Sequence, residues 1–423
     1  LKNKSDWITN TLPNLAEFIN GYAFKPKDWS KEGLPIVRIE QLKNDDADFD
    51  YYNGSLPAHN IINQGDLIFA WSASLFLKIW KNGKAALNQH LFKVVPYDHT
   101  DKNFLKYLIE YNLVKLSLSA HGSTMKHITR KDLNIFEVRH PKDKTEQTAI
   151  AHILSTVDKA IEQTEKLIAK YKRIKTGLMQ DLLTKGIDEN GNIRSEKTHK
   201  FKDSPLGRIP VEWEVINLEN KKYFELATGG TPSTAKKEYW ENGNIPWLSS
   251  GEVHNKKIKN TAVNITQLGF ENSNARFYPI GSVLIALAGQ GKTRGTVAIT
   301  EIETTSNQSI AAIIPNQELY NSYFLYHQLD FRYEELRSIS SGSGRAGLSL
   351  RILKTINVVY TDINEQKAII KKLNQIDDFL NSNYKSLSKL SLLKSGLMQD
   401  LLTGKVRVPE ELIEEINNNI SKA

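Results

Sequence analysis

From residue 150 the apolar residues fall at Ile150, Leu154, Val157, Ile161, Ile168, Tyr171, Leu178 and Leu182, mostly in alternating steps of four and three. The same rhythm returns at Ile369, Leu373, Ile376, Leu380, Leu387, Leu390, Leu397 and Leu401. This is a heptad seam, and it predicts two long helices, each built to pack on another helix. No proline interrupts either segment, and the glycines, Gly177 and Gly396, lie near the ends.

The two segments are copies. GLMQDLLT at Gly177 to Thr184 recurs at Gly396 to Thr403, and 396 − 177 = 219. At the same offset Glu146-Gln147 falls on Glu365-Gln366, and Asp158 falls on Asp377. The seam is broken at matching places, Thr164 with Asn383 and Lys175 with Lys394. A polar residue in a seam fixes register at some cost in stability. Residues 146–184 and 365–403 are therefore read as one duplicated helix, each copy about 58 Å long. The simplest packing is copy on copy, antiparallel, with approximate two-fold symmetry inside one chain. Leu178, Met179, Leu182, Leu397, Met398 and Leu401 are the candidates for helix pairing or partner docking.

Weaker echoes precede each helix. Asp6-Trp7 resembles Glu212-Trp213, Gly65-Asp-Leu-Ile68 resembles Gly281-Ser-Val-Leu284, Asn88-Gln89 resembles Asn307-Gln308, and Pro96 matches Pro315. Gly21 precedes the apolar stretch at 34–39, as Gly229 and Gly230 precede Ile245-Pro-Trp-Leu248. Each half then carries a helical stretch (103–119 and 321–338) and a Gly/Ser loop (His121-Gly-Ser-Thr124 and Ser341-Gly-Ser-Gly344). Short strands mixed with a few helices predict an α+β class. The order is a domain (1–145), a helix (146–184), a polar linker (185–210), a domain (211–364), a helix (365–403) and a polar tail (404–423) expected to add little.

Length supports this division, since 423 residues exceed one ordinary core. The absence of cysteine removes disulfides, thiolate zinc sites and cysteine nucleophiles. No apolar run is long enough for a bilayer, and the first residues lack the apolar core of a signal peptide, so the cytoplasm is the expected compartment and no membrane partner is expected. A formal charge of +8 favours an anionic partner.

Catalytic patterns are hard to find. None of the 13 prolines has a proline neighbour, so an adenine methyltransferase Asn/Asp-Pro-Pro-Tyr/Phe motif is absent. The ten histidines show no metal-ligand spacing. The stretch Gly289-Gln-Gly-Lys-Thr-Arg-Gly295 suggests a phosphate loop, but Ala286 stands where that loop needs its first glycine. Gly295-Thr-Val-Ala-Ile-Thr300, which follows, reads as a strand and not as the required helix. The loop suits DNA better. Lys292 and Arg294 can hold phosphate or guanine, Gln290 can pair with adenine, and Thr293 can take either base or phosphate. Arg345, in the Gly/Ser loop, is a second candidate. In the first domain Lys81, Lys84 and Lys126 are the candidates, with Trp71 and Trp80 read as packing residues. A helical rod bearing two unlike domains suits duplex DNA read as two different words at fixed spacing. A solvated basic scaffold that reads no sequence is the alternative.

The paired EQ…GLMQDLLT helices, the linker LLTKGIDENGNIRS…FKDSPLGRIPVEWEV and the GQGKTRGTVAI segment together resemble the specificity subunit of type I restriction-modification systems, over essentially the whole chain. The resemblance implies two target recognition domains, each reading one half of a bipartite site, with the helices as spacer. It implies no catalysis in this chain. Two modification subunits would dock on the helices and methylate adenine at N6 with S-adenosylmethionine. Two restriction subunits, using ATP and magnesium, can join them to make the endonuclease.

Overall fold

The computed structural model describes residues 6–44, 46–72, 74–119, 128–289, 292–339 and 348–422. The chain divides into two compact units, Leu1–Lys166 with Tyr384–Ala423, and Leu167–Asn383. The division falls inside both long helices, Lys144–Thr184 and Ile363–Leu402. Each unit thus owns half of each helix, which differs from a partition that sets the helices apart as separate elements.

Both units are built on one plan. In the first, a four-stranded sheet runs in the order Ala16–Asn20, Leu91–Pro96, Leu67–Ala70, Phe76–Ile79. In the second, the matching order is Phe224–Thr228, Ile310–Pro315, Val283–Ala286, Val297–Thr300, extended by Lys257–Ile258. The strands Leu67–Ala70 and Val283–Ala286 are buried along their whole length, which is why they read as unbroken apolar runs. Pro96 faces Ala16 and Pro315 faces Phe224 across equivalent edges. A smaller sheet in each unit contains a parallel pair, Leu34–Val37 beside Ala85–Leu87 and Ile245–Leu248 beside Thr305–Ser306. Asn88 and Asn307 follow these pairs and turn the chain identically: their carboxamides accept from the N–H two residues on. A Cβ on Gly21 would stand 2.2 Å from Asn88 O, and one on Gly229 would stand 1.9 Å from Ser306 O, so only glycine fits beside the turn.

The Glu-Gln pair opening each long helix joins that helix to its unit. Gln147 and Gln366 are fully buried. Gln147 Oε1 accepts from Asp101 N–H and its Nε2 donates to Pro141 O (3.0 Å); Gln366 accepts from Asn321 N–H and donates to Thr361 O (2.7 Å). Glu146 accepts from Trp7 Nε1 (3.4 Å) and from both Arg407 Nε and Nη2 (2.6 Å each). Glu365 accepts from Trp213 Nε1 (3.1 Å), Arg194 Nη1 (2.5 Å) and Ile187 N–H (3.0 Å).

Those arginines correct two expectations. Arg194 lies in the 185–210 segment, which is structured: Ile187 and Ile209 enter the core of the second unit, and Phe201–Ser204 pairs with Gly207–Pro210. Arg407 lies in the tail, where Val408 and Ile416 enter the core of the first unit and Glu410–Ser421 is a helix. Both segments look polar because each offers few apolar residues, yet each sends one arginine to the glutamate near the start of a long helix.

Truncating one partner of a buried ion pair typically costs about 3–5 kcal/mol. Glu146→Ala and Glu365→Ala are each expected to lower unfolding free energy by about that amount, measured by urea denaturation. Removing 404–423 should destabilise the first unit comparably, read as loss of hydrogen-exchange protection in 6–119.

Candidate nucleic-acid interface and its helical support

In each unit two neighbouring strands of the larger sheet form a hairpin, Leu67–Ala70 with Phe76–Ile79 and Val283–Ala286 with Val297–Thr300. The tips are residues 71–75 and 287–296, fixed by the registers Ala70↔Phe76 and Ile285↔Val297. The second tip is held in place. Lys292 O accepts from Tyr333 Oη and Thr296 Oγ1 (2.8 Å each), and Arg337 Nη1 donates to Tyr333 Oη (3.1 Å). Gly295 turns the chain back into the strand at φ +80°, against the backbone of Arg337. Lys292 is exposed on this frame, while Thr293 and Arg294 are half-buried. Leu348 N–H donates to Leu287 O (2.8 Å), so the chain leaving 340–347 returns beside the tip. Ile128 N–H donates to Trp71 O (3.0 Å) in the same way. Gln290, Arg345 and Lys126 lie outside the described residues.

Lys81 and Lys84 are exposed but do not occupy the counterpart of this tip. They follow Ile79, at the opposite end of the hairpin, where Trp80 is buried and donates from Nε1 to Gly83 O (2.7 Å). The Lys166 ammonium, with Lys81 adding to it, holds the Glu162 carboxyl below its usual range, which places Lys81 toward the long helix. Lysine spacing cannot reveal which end of a hairpin it occupies; the pairing register does. Trp71 packs near Phe92, with ring centroids 5.6 Å apart.

Two basic residues not singled out in the sequence do reach the tips. Lys43 Nζ donates to Ser74 Oγ (2.6 Å). His254 Nε2 lies 3.1 Å from Thr293 Oγ1. Each lies in the last turn of a short helical segment, Ile39–Lys43 or Ser250–Asn255, that follows the parallel strand of the smaller sheet.

The helices beneath pair within each unit. In the second unit Lys175 meets Asp377 at 2.5 Å and Tyr171 stacks on Phe379 with centroids 4.1 Å apart. Partners thus fall in numbering as the other helix rises, which is antiparallel. In the first unit Lys394 meets Asp158 at 2.6 Å. The two lysines that interrupt the seam therefore form repeat-related ion pairs with the two repeated aspartates. Thr164 and Asn383 instead bond back to the carbonyls four residues earlier, Ala160 O and Phe379 O. Leu182 and Leu401 are buried in the cores of their units, with Leu178, Met179, Leu397 and Met398 packed against the same cores. The GLMQDLLT motif thus roots each helix in a globular core.

The ion pairs are set in polar but poorly solvated surroundings. Burial, reinforced by its hydrogen bond to Asp158, pushes the Tyr107 phenol well above its usual range. Tyr326, 219 residues on, is pushed up by burial and by Asp330 and Asp377. The next residue breaks the symmetry: Leu108 in the first copy, His327 in the second. His327 is buried, its Nδ1 makes no hydrogen bond, and burial, aided by Lys175, lowers its pKa to about 4.

Among the described residues no group of three or more His, Asp or Glu could hold a metal ion, and no helix is long and apolar enough to cross a membrane. A family model for the type I restriction modification DNA specificity domain matches residues 4–173 and again 210–391. The chain belongs to that family. Each match takes in one domain and most of the long helix that follows it, so the duplicated unit is domain plus helix. The chain is 26% identical over 426 residues to the type I restriction enzyme MjaVIII specificity subunit of Methanocaldococcus jannaschii, covering 96% of this chain and 95% of that one. It is 23% identical to the EcoBI specificity subunit of Escherichia coli, covering 94% and 84%. The S subunit of a type I restriction-modification system from M. genitalium shares the fold, with a TM-score of 0.60 at 17% identity over 95% of this chain and 97% of that one. The expected α+β class, with two recognition domains and two packed long helices, is the architecture of this specificity subunit.

Below its ordinary pKa of 6.5 an exposed histidine takes up a proton that buried His327 refuses until about pH 4. The contribution is complete above pH 6.5 and is lost as pH falls toward 4, reaching about 2 kcal/mol at pH 5. His327→Leu, the residue of the first copy, should remove that share of the stability loss between pH 7 and pH 5, measured by urea denaturation at both pH values.

Proposed function

We propose that this chain reads a bipartite DNA site, one half with each hairpin-bearing domain, and sets the gap between the halves with its paired helices. The observation that carries this reading is a contrast. The frame of the two units agrees down to the Glu-Gln anchors and the Lys–Asp pairs, whereas the hairpin tips, 71–75 and 287–296, differ in length and chemistry. A constant frame with variable tips suits two readers of unlike words. On the second tip Lys292 and Arg294 suit phosphate or guanine and Thr293 suits phosphate or base; Gln290 and Arg345, outside the described residues, are proposed as DNA contacts on residue type alone.

The chain itself contributes recognition and spacing; the chemistry belongs to partners. Two modification subunits dock on the helices, where Leu392 and Leu393 are exposed, and transfer a methyl group from S-adenosylmethionine to adenine N6. Two restriction subunits, using ATP and magnesium, complete the endonuclease. Extrusion of the target adenine would carry it to the modification subunit's own site.

The direct test maps adenine methylation across the host genome with the gene intact and deleted. One bipartite adenine-methylated motif should vanish on deletion; an unchanged methylome rejects the reading. Lys292→Ala should weaken binding of the assembled complex to its duplex and reduce the slope of log affinity against log salt by about one. Four residues inserted at matched points of both helices add about 6 Å. That should lengthen the unread gap by roughly two base pairs at about 3.4 Å each. A gap that stays the same length removes the spacer role.

A further inference from the structure

Each recognition hairpin is met by one basic side chain from outside its own sheet. Lys43 Nζ lies 2.6 Å from Ser74 Oγ and 5.8 Å from the centroid of the Phe76 ring, so it grips the tip of the first hairpin and the start of its returning strand. Lys78, on that returning strand, answers by donating to Leu42 O (2.7 Å). In the second unit His254 Nε2 lies 3.1 Å from Thr293 Oγ1, beside exposed Lys292. The supporting segment is tied to the same hairpin from below, since Ile299 N–H donates to Lys256 O (2.8 Å). Lys43 and His254 are both exposed, whereas the hydroxyls they touch are half-buried.

The two contacts come from sequences with no evident likeness: Ile39–Lys43 is a short α-helix and Ser250–Asn255 is a 3-10 turn. They converge on one arrangement, an ammonium or imidazole side chain within hydrogen-bond distance of a tip hydroxyl. The chemistry can serve two tasks together. An ammonium has three N–H donors, so one can hold Ser74 while others face a phosphate. An imidazole whose Nε2 engages Thr293 leaves Nδ1 on the far side of the ring for a second partner. A tip that must place base-reading groups to within a fraction of an ångström gains selectivity when pinned, because misplacement weakens the contacts to the right base more than those to a wrong one and so narrows the difference between them.

We infer that Lys43 and His254 are specificity-determining residues, each positioning the hairpin tip of its own domain and bearing on the DNA backbone beside it. This deepens the proposed DNA reading and rests on it. Lys43 should govern one half-site and His254 the other, with no effect on the gap.

The test uses the full chain assembled with its modification subunits. Methyl transfer is measured on duplexes carrying every single-base change in either half-site, for wild type, Lys43→Ala, Lys43→Arg, His254→Ala and His254→Gln. Lys43→Ala should lower discrimination roughly ten-fold at one half-site only, and His254→Ala at the other only. Lys43→Arg keeps a cationic donor at the tip and His254→Gln keeps a group that can donate to or accept from Thr293, and both should recover most of the discrimination. Thermal unfolding should match wild type, which separates pinning from general destabilisation. Unchanged discrimination at both half-sites in either alanine variant overturns the inference while leaving the DNA reading intact. Equal loss at both half-sites also overturns it. A wild-type complex with no bipartite preference overturns the inference and the functional reading together.

Discussion

The structure turns on one carboxylate used twice. Glu146 and Glu365 lie in the first turns of the two long helices, and each is held by a tryptophan at or just before the strand that opens its domain (Trp7–Thr11, Glu214–Asn217) and an arginine from the segment after a long helix. A buried carboxylate without such partners would be costly to desolvate, so the ring of donors has to assemble as a set. That set ties the start of a domain, the start of its following helix and a remote piece of chain into one node. The adjacent glutamine, fully buried, fixes the loops that deliver the chain into the helix. The direction in which the helix leaves its domain follows from these bonds, and a defined angle between reader and rod is what a spacer requires.

The second constraint is electrostatic and lies along the rod. A lysine in an apolar seam is a defect unless a partner reaches it. Here Asp377 and Asp158 do, once in each unit. The pairing rewards one antiparallel register and penalises slippage, because a shift of one turn would leave a charge against apolar neighbours. These pairs are half-exposed, so their value lies more in selecting register than in raising stability.

The frame was legible in the sequence and the working surface was not. A seam of period 3.5, repeated at a constant offset, can only be a pair of matched helices, and the turn residues Asn88 and Asn307 carried enough local chemistry to align the domains. Lys81 and Lys84 were matched to the wrong end of the hairpin, because spacing along the chain does not say which end a residue occupies. Lys43 and His254 went unnoticed for a related reason: each reaches its tip from a short helical segment that follows a strand of the smaller sheet, and only pairing between strands distant in sequence brings it there. The segments after each helix misled through composition. A polar stretch that delivers one arginine and two apolar residues to a core resembles a linker until the core is seen.

The unit boundaries bear on the order in which the protein can be made. The second unit, 167–383, is one unbroken stretch, whereas the first joins 1–166 to 384–423. During synthesis the ribosome releases the first domain early, but Arg407, Val408 and Ile416, which close its node and core, emerge only after the whole of the second unit. The domain translated second is therefore the first able to finish folding, and the domain translated first waits, partly open, for the segment that follows the second unit.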